Sequence, residues 1–272
     1  MYKEDFLQTD LLYFYHNTSN EPTDGYVSHC HAMYEIFFFM QGNIDYKVEG
    51  CEYTLSPESI LLIAPGIFHG VKINTTQVYH RFSVHFMPEL LTEQERETLL
   101  ACFYGEKIYY PALSRFEMEH YFRSILECAA MPAKLQAVAL KSRITALLTQ
   151  ISYMYESGVA QPSFRNRNIQ EMVLYLNENI KTNVSLDMLA EKFYLSKNHL
   201  NVVFRRATGT TVNQYLRVKR LALAQKSMLE GAPASQAAAE AGFGDYSNFY
   251  RAYKAFFGGA PSKPEMEPGR GG

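Results

Sequence analysis

"SLDMLAEKFYLSKNHLNVVFRRATG", residues 185–209, decides how the C-terminal half is read. Ser185 is placed to cap a short helix whose apolar face is Leu186, Leu189, Ala190 and Phe193. "YL" turns the chain, and Ser196 caps a second helix that buries Leu200, Val203 and Phe204 and ends near Gly209. Two short helices joined by so tight a turn form a helix-turn-helix pattern. The pattern recurs further on. Residues 234–241 read as a short helix, and "AGFGDYSNFYRAYKAFFGGAP", residues 241–261, turns at Gly242-Phe243-Gly244. Asp245 or Ser247 then opens a helix that buries Phe249, Tyr253 and Phe256. Between the two units, 212 to about 230 reads as one longer helix carrying "RVKRLALA".

The charge distribution agrees with a division of labour. The 272 residues carry a formal charge of only −2, but residues 1–164 balance at −8 and residues 165–272 at +6. One basic half suits a module that faces nucleic acid, joined to one that does not. The four cysteines, Cys30, Cys51, Cys102 and Cys128, form no CxxC pair, which argues against a zinc knuckle or a disulfide framework. No signal peptide opens the chain and no apolar run has the length of a membrane span, so a reduced cytoplasm with no membrane partner is the expectation.

Upstream of the linker the texture differs. From about residue 26 to 86, "EIFFFM", "IDYKV", "CEYTL", "ILLI" and "VYHRFSVHF" read as short strands separated by Gly, Pro and Ser turns, the pattern of an antiparallel sandwich or barrel. After Pro88 the period becomes helical. Ile144, Leu147, Leu148, Ile151, Met154 and Tyr155 form one wide stripe, which could pack on the barrel or on its copy in a second subunit. "SGVAQPSFRNRN", residues 157–168, has no periodicity and reads as a linker between a 1–156 domain and a 169–272 domain.

"SHCHAMYEIFFFMQG", residues 28–42, adds a chemical constellation. His29, His31 and Glu35 are all odd-numbered and would share one face of a continuous strand. With Gly42 they spell H-x-H-x3-E-x6-G.

Two resemblances follow. Both helix-turn-helix units, with Gly242-Phe243, Asp245, Phe249, Lys254, Gly258 and Pro261, and with Arg220-Leu221 and Ala224 on the linking helix, resemble the DNA-binding domain of AraC-family transcription regulators. His29, His31, Glu35 and Gly42, followed by Pro65 and His69, resemble the two motifs of the cupin superfamily. The implied fold is α+β and multidomain: an N-terminal cupin-like antiparallel β-barrel with associated helices, then a C-terminal all-α double helix-turn-helix. Ala234 and Ala237 stand where the family places branched aliphatics, so that helix should make a thin core contact, and Pro264-Glu265 replaces the family's aromatic-Arg pair.

The resemblance implies a dimeric regulator that binds double-stranded DNA, a small-molecule effector and the transcription machinery. The groove-facing side of the first recognition helix would be Asn198, Asn201, Val202 and Arg205, with Lys197 near its start. In the second it would be Tyr246, Ser247, Tyr250, Arg251 and Lys254. Arg205, Arg206, Arg217, Lys219, Lys254 and Lys263 suit phosphates or solvent. For the barrel, His29, His31, Glu35, Tyr46 and His69 are the effector candidates, with Tyr26, Tyr34, Phe38 and Phe68 available to stack on a ring such as a sugar's. The same His29, His31, Glu35 and His69 could instead hold a divalent metal, or serve structure alone. The rival to a non-enzymatic sensor is a metal-dependent cupin enzyme carrying a DNA-binding tail.

Overall fold

"EIFFFM" lies within β4 (Tyr34–Gln41), a strand buried on both faces, which is why it shows no polar alternation. The computed structural model describes residues 3–19, 21–23, 27–74, 78–104, 107–111, 113, 116–159 and 167–261. The chain divides into two compact units, residues 1–29 with 33–166 and residues 30–32 with 167–272.

The first unit is built on two antiparallel sheets. Its other strands are β1 (Lys3–Gln8), β2 (Leu12–Ser19), β3 (Val27–His29), β5 (Ile44–Val48), β6 (Cys51–Thr54), β7 (Ser59–Ile63), β8 (His69–Ile73), β9 (Tyr79–Phe86) and β10 (Tyr109–Tyr110). Six form a sheet in the order β1-β2-β9-β4-β7-β10, and four form a second in the order β3-β8-β5-β6. The strands therefore begin at Lys3, well before the expected residue 26.

Alternation along β4 feeds two separate cores. Phe37 and Phe39 join Tyr46, Tyr53, Leu61, Ile63 and Tyr79 between the sheets. Ile36 and Phe38 face the other way, toward three helices: α1 (Glu93–Leu99), α2 (Met118–Glu127) and α3 (Ala133–Glu156). The α3 stripe settles on this second core. Ile144, Leu147, Leu148, Ile151 and Met154 are 0 % exposed and cluster with Phe38, Phe82 and Phe122. Each such side chain contributes about 1.5–3 kcal/mol by leaving water. The stripe is thus not a seam for a second subunit, because the barrel already covers it.

α3 ends at Glu156 and α4 (Arg167–Glu178) opens the second unit; of the expected linker, residues 160–166 lie outside the described residues. There follow α5 (Leu186–Lys192), α6 (Lys197–Thr208), α7 (Val212–Leu229), α8 (Ala234–Glu240) and α9 (Tyr246–Phe257). The caps are the expected ones: Ser185, Ser196 and Asp245 accept from the backbone N–H of Met188, His199 and Asn248. Thr211 does the same for α7, and Gly209 ends α6 in the left-handed conformation.

α6 buries Leu200 and Phe204, but Val203 is only half-buried and Thr208 completes the inner face, its hydroxyl donating to the Phe204 carbonyl at 2.8 Å. In the second motif Ala237 is fully buried with Leu221, Met228, Phe249 and Tyr253, so the small side chain is a core position, while Phe256 is half-buried against that core.

Candidate effector site and nucleic-acid interface

Glu35 is 3 % exposed, and a buried carboxylate needs partners. β4 places it opposite His85 of β9 in register. The Ser83 hydroxyl donates to Glu35 Oε1 at 2.7 Å, and His85 Nε2 lies 2.8 Å from that hydroxyl and 3.4 Å from the carboxylate oxygen. From the opposite sheet, His69 sets Nε2 at 3.0 Å from Glu35 Oε2, an ion pair by distance rather than a well-aligned hydrogen bond. Its Nδ1 faces the Ile67 carbonyl at 2.8 Å, and since a carbonyl only accepts, Nδ1 carries a proton. Burial works against the imidazolium, but the contact and charge of Glu35 outweigh it, so the His69 pKa is raised above 6.5. Tyr46 lies beside the pair, its ring parallel to that of His69 at 6.2 Å; burial first, and Glu35 second, push its phenol far above the usual range.

His29 is exposed on β3, its ring 4.4 Å from that of His69. His31 lies in the connection between β3 and β4. The potential ligand atoms of His29, His31 and His69 fall within 4.8 Å of one another, as do those of His31, Glu35 and His85. The residues do converge, but not by sharing a strand. β3 ends at His29 in the four-stranded sheet and β4 starts at Tyr34 in the six-stranded one, so the alternation argument across residues 29–35 fails.

Two further expectations are corrected. Tyr34 and Phe38 point to the helix-side core, where the Tyr34 hydroxyl meets that of Tyr104, so neither lines the barrel interior. Phe68 is buried at 6 % exposure, and Tyr26 lies outside the described residues. Ser83 and His85 were missed by sequence reasoning. The available signal was the polar series Arg81, Ser83, His85 alternating with Phe82, Val84 and Phe86.

In the second unit, α6 exposes Lys197, Asn198, Val202 and Arg205, with Asn201 half-exposed. Lys197 Nζ lies 2.6 Å from Asp187 Oδ1, a solvated pair of little weight for stability. α9 exposes Tyr246, Ser247, Tyr250, Arg251 and Lys254, and Arg251 Nη2 donates to Asn248 Oδ1 at 2.6 Å. Between the two motifs a cleft of about 600 Å³ brings exposed Arg217 of α7 and Arg251 to one cavity, together with Asn213 and Asn248, which were not anticipated. Lys219 is corrected: it is 9 % exposed with its ammonium 5.4 Å from the Tyr215 ring, so it is not a solvated phosphate contact. Lys263, Pro264 and Glu265 lie outside the described residues.

One junction aligns the two motifs. The Arg220 guanidinium on α7 donates to the Ile180 and Thr182 carbonyls, both at 2.7 Å. Gly242, at φ +88°, rests on the residue between them: a Cβ there would stand 2.9 Å from the Lys181 backbone. Only glycine fits that approach.

Comparison with known proteins agrees with this architecture. A family model described as an AraC-like ligand binding domain matches residues 11–148, and one described as a helix-turn-helix domain matches residues 189–264. The uncharacterized HTH-type transcriptional regulator YbfI of Bacillus subtilis is 24 % identical over 225 residues, covering 81 % of this chain and 80 % of that protein. The XylDLEGF operon transcriptional activator 2 of Pseudomonas putida is 27 % identical over 122 residues, covering 43 % and 78 %. The multiple antibiotic resistance protein MarA of Escherichia coli is 28 % identical over 99 residues, covering 36 % and 78 %. With a ligand-binding barrel followed by a double helix-turn-helix, the chain belongs to the AraC family of DNA-binding transcription regulators.

Proposed function

We propose that the chain acts in the cytoplasm as a homodimer that engages the transcription machinery, catalyses no reaction, and takes a small hydroxylated molecule, such as a sugar, against Glu35, His69, Ser83 and His85. The observation that carries this is the buried polar cluster itself. Replacing a buried ion pair by packed apolar residues is often neutral or stabilising, so structure alone does not call for one inside a barrel. Imidazole, carboxylate and hydroxyl groups together match the donors and acceptors of a polyol, and His29 and His31 extend the same set outward. The effector regulates by favouring one arrangement of the regulator over another, which requires differential affinity for the two. Dimerisation uses a surface other than the buried stripe of α3.

A second reading has its own observation. The triplets His29, His31, His69 and His31, Glu35, His85 bring imidazoles and a carboxylate close enough to hold a divalent metal of the zinc, iron or nickel class. Melting the purified full-length protein with a panel of sugars, before and after chelation, separates the two. Sugar-dependent stabilisation that survives chelation and is lost in Glu35→Gln supports the sensor. Stoichiometric metal, with turnover and no sequence-specific DNA binding, would support the enzyme instead.

A further inference from the structure

The inward face of β9 continues past the Glu35 cluster. Alternation sends Phe82, Val84 and Phe86 to the helix-side core and Tyr79, Arg81, Ser83 and His85 to the other side. Tyr79 is 2 % exposed and packs between the sheets, where its hydroxyl is buried without a hydrogen-bond partner among the described residues. Burying such a hydroxyl costs about 1–3 kcal/mol, and phenylalanine would fill the same space without it. The group is suited to an incoming acceptor. Burial, only partly offset by Arg81, pushes its phenol up to about 12, so it keeps its proton and donates.

Arg81 stands beside it. The register sets Arg81 opposite Phe39 of β4, two positions along the same face from Ser83. Its guanidinium carbon lies 5.5 Å from the centroid of the Phe37 ring, and its charge acts on the phenols of both Tyr46 and Tyr79. A permanently charged, planar group held over an aromatic face and next to a proton-donating phenol presents several N–H and O–H donors. Two oxygens of one acid group match the fork of a guanidinium, which a neutral hydroxyl does not. Glu35, whose charge would repel an acid, is matched by the imidazole of His69.

We propose that the effector carries an acid group, a carboxylate or a phosphate, held by the Arg81 guanidinium and the Tyr79 hydroxyl, while Glu35, Ser83 and His85 take its hydroxyl groups. This rests on the reading of the barrel as the effector site and narrows the class of molecule that fills it. The orphaned Tyr79 hydroxyl and the position of Arg81 carry it independently of the Glu35 cluster.

The test uses the full-length protein with acetate, inorganic phosphate and neutral acetamide as fragment probes at constant ionic strength, read by calorimetric titration and by melting. One of the two anions is expected to bind and stabilise, which also identifies the acid type, while acetamide does not. Arg81→Gln is expected to weaken that anion at least about tenfold, the scale of a hydrogen bond to a charged group, and Arg81→Lys to retain part of the binding. Tyr79→Phe should weaken the anion without lowering the melting temperature of the unliganded protein, an outcome a purely structural tyrosine would not give. It also keeps the test decisive if Arg81→Gln does not fold by circular dichroism. Equal response to the anions in wild type, the foldable Arg81 variants and Tyr79→Phe overturns the acid subsite. If sugars still stabilise in a Glu35-dependent way, the sensor reading survives that result; if they do not, both fall.

Discussion

Glu35 and His69 stand 3.0 Å apart across the two sheets, Oε2 against Nε2, with both side chains almost wholly buried. The pair bridges β4 and β8, so its charge state is tied to the integrity of the barrel. The folded pKa of His69 is raised above its ordinary 6.5. The stabilisation is therefore fully present below about pH 6.5 and is lost as pH rises through the higher folded value. Scanning calorimetry of the wild type against Glu35→Gln should show the stability gap shrinking as pH rises across that window. A gap that widens with pH would reverse the assignment.

The buried stripe of α3 predicts where stability resides. Leu147 is 0 % exposed in the core shared with the six-stranded sheet. Leu147→Ala should cost about 2–5 kcal/mol in chemical denaturation of the barrel and leave the oligomeric state unchanged by sedimentation. Loss of association with unaltered stability would place the stripe in a subunit seam after all.

The Ile180–Thr182 turn predicts coupling between the two motifs. Gly242→Ala forces a Cβ onto the Lys181 backbone at 2.9 Å and strains a φ of +88°, so it should destabilise the second motif by more than about 1 kcal/mol. Arg220→Ala removes two charged hydrogen bonds to the same turn; because the side chain is partly exposed, about 1–2 kcal/mol is expected. Denaturation of the double variant should give less than the sum, since both changes loosen one junction. Strict additivity would show the two contacts to be independent.

The two halves differ in how far they could be read beforehand. In the helical half each cap is local: Ser185, Ser196 and Asp245 directly precede their helices and accept from the N–H three residues on, whereas the close approach that demands glycine at 242 is made by Lys181 and is non-local. In the barrel the decisive facts are non-local. β2 shows no clean apolar alternation, because its buried residues include His16 and, on the opposite face, Asn17 as well as Leu12 and Phe14. His85 was missed for a related reason: in β9 the apolar alternate residues face the helices and the polar ones face the space between the sheets, the reverse of the usual assumption. Tyr34 and Phe38 are even-numbered where Glu35 is odd, so period two alone could have excluded them from the site. The sheet change between His29 and Tyr34 carries no local signal, since "CHAM" contains neither glycine nor proline.

The reading of the chain as a two-motif DNA-binding regulator meets its most direct test in footprinting. α7, 18 residues long, spans roughly 27 Å at about 1.5 Å per residue and runs from the end of α6 to α8, linking the motif of α5 and α6 to that of α8 and α9, against about 34 Å between successive turns of the major groove. On one natural operator, Asn201→Ala and Arg251→Ala should each lose protection over a different segment, about one helical turn apart, with discrimination at that segment weakened by about 1–3 kcal/mol. Arg217→Ala should weaken all sequences alike and flatten the salt dependence. Loss of protection over the same few base pairs in both variants would contradict the two-groove mode of binding.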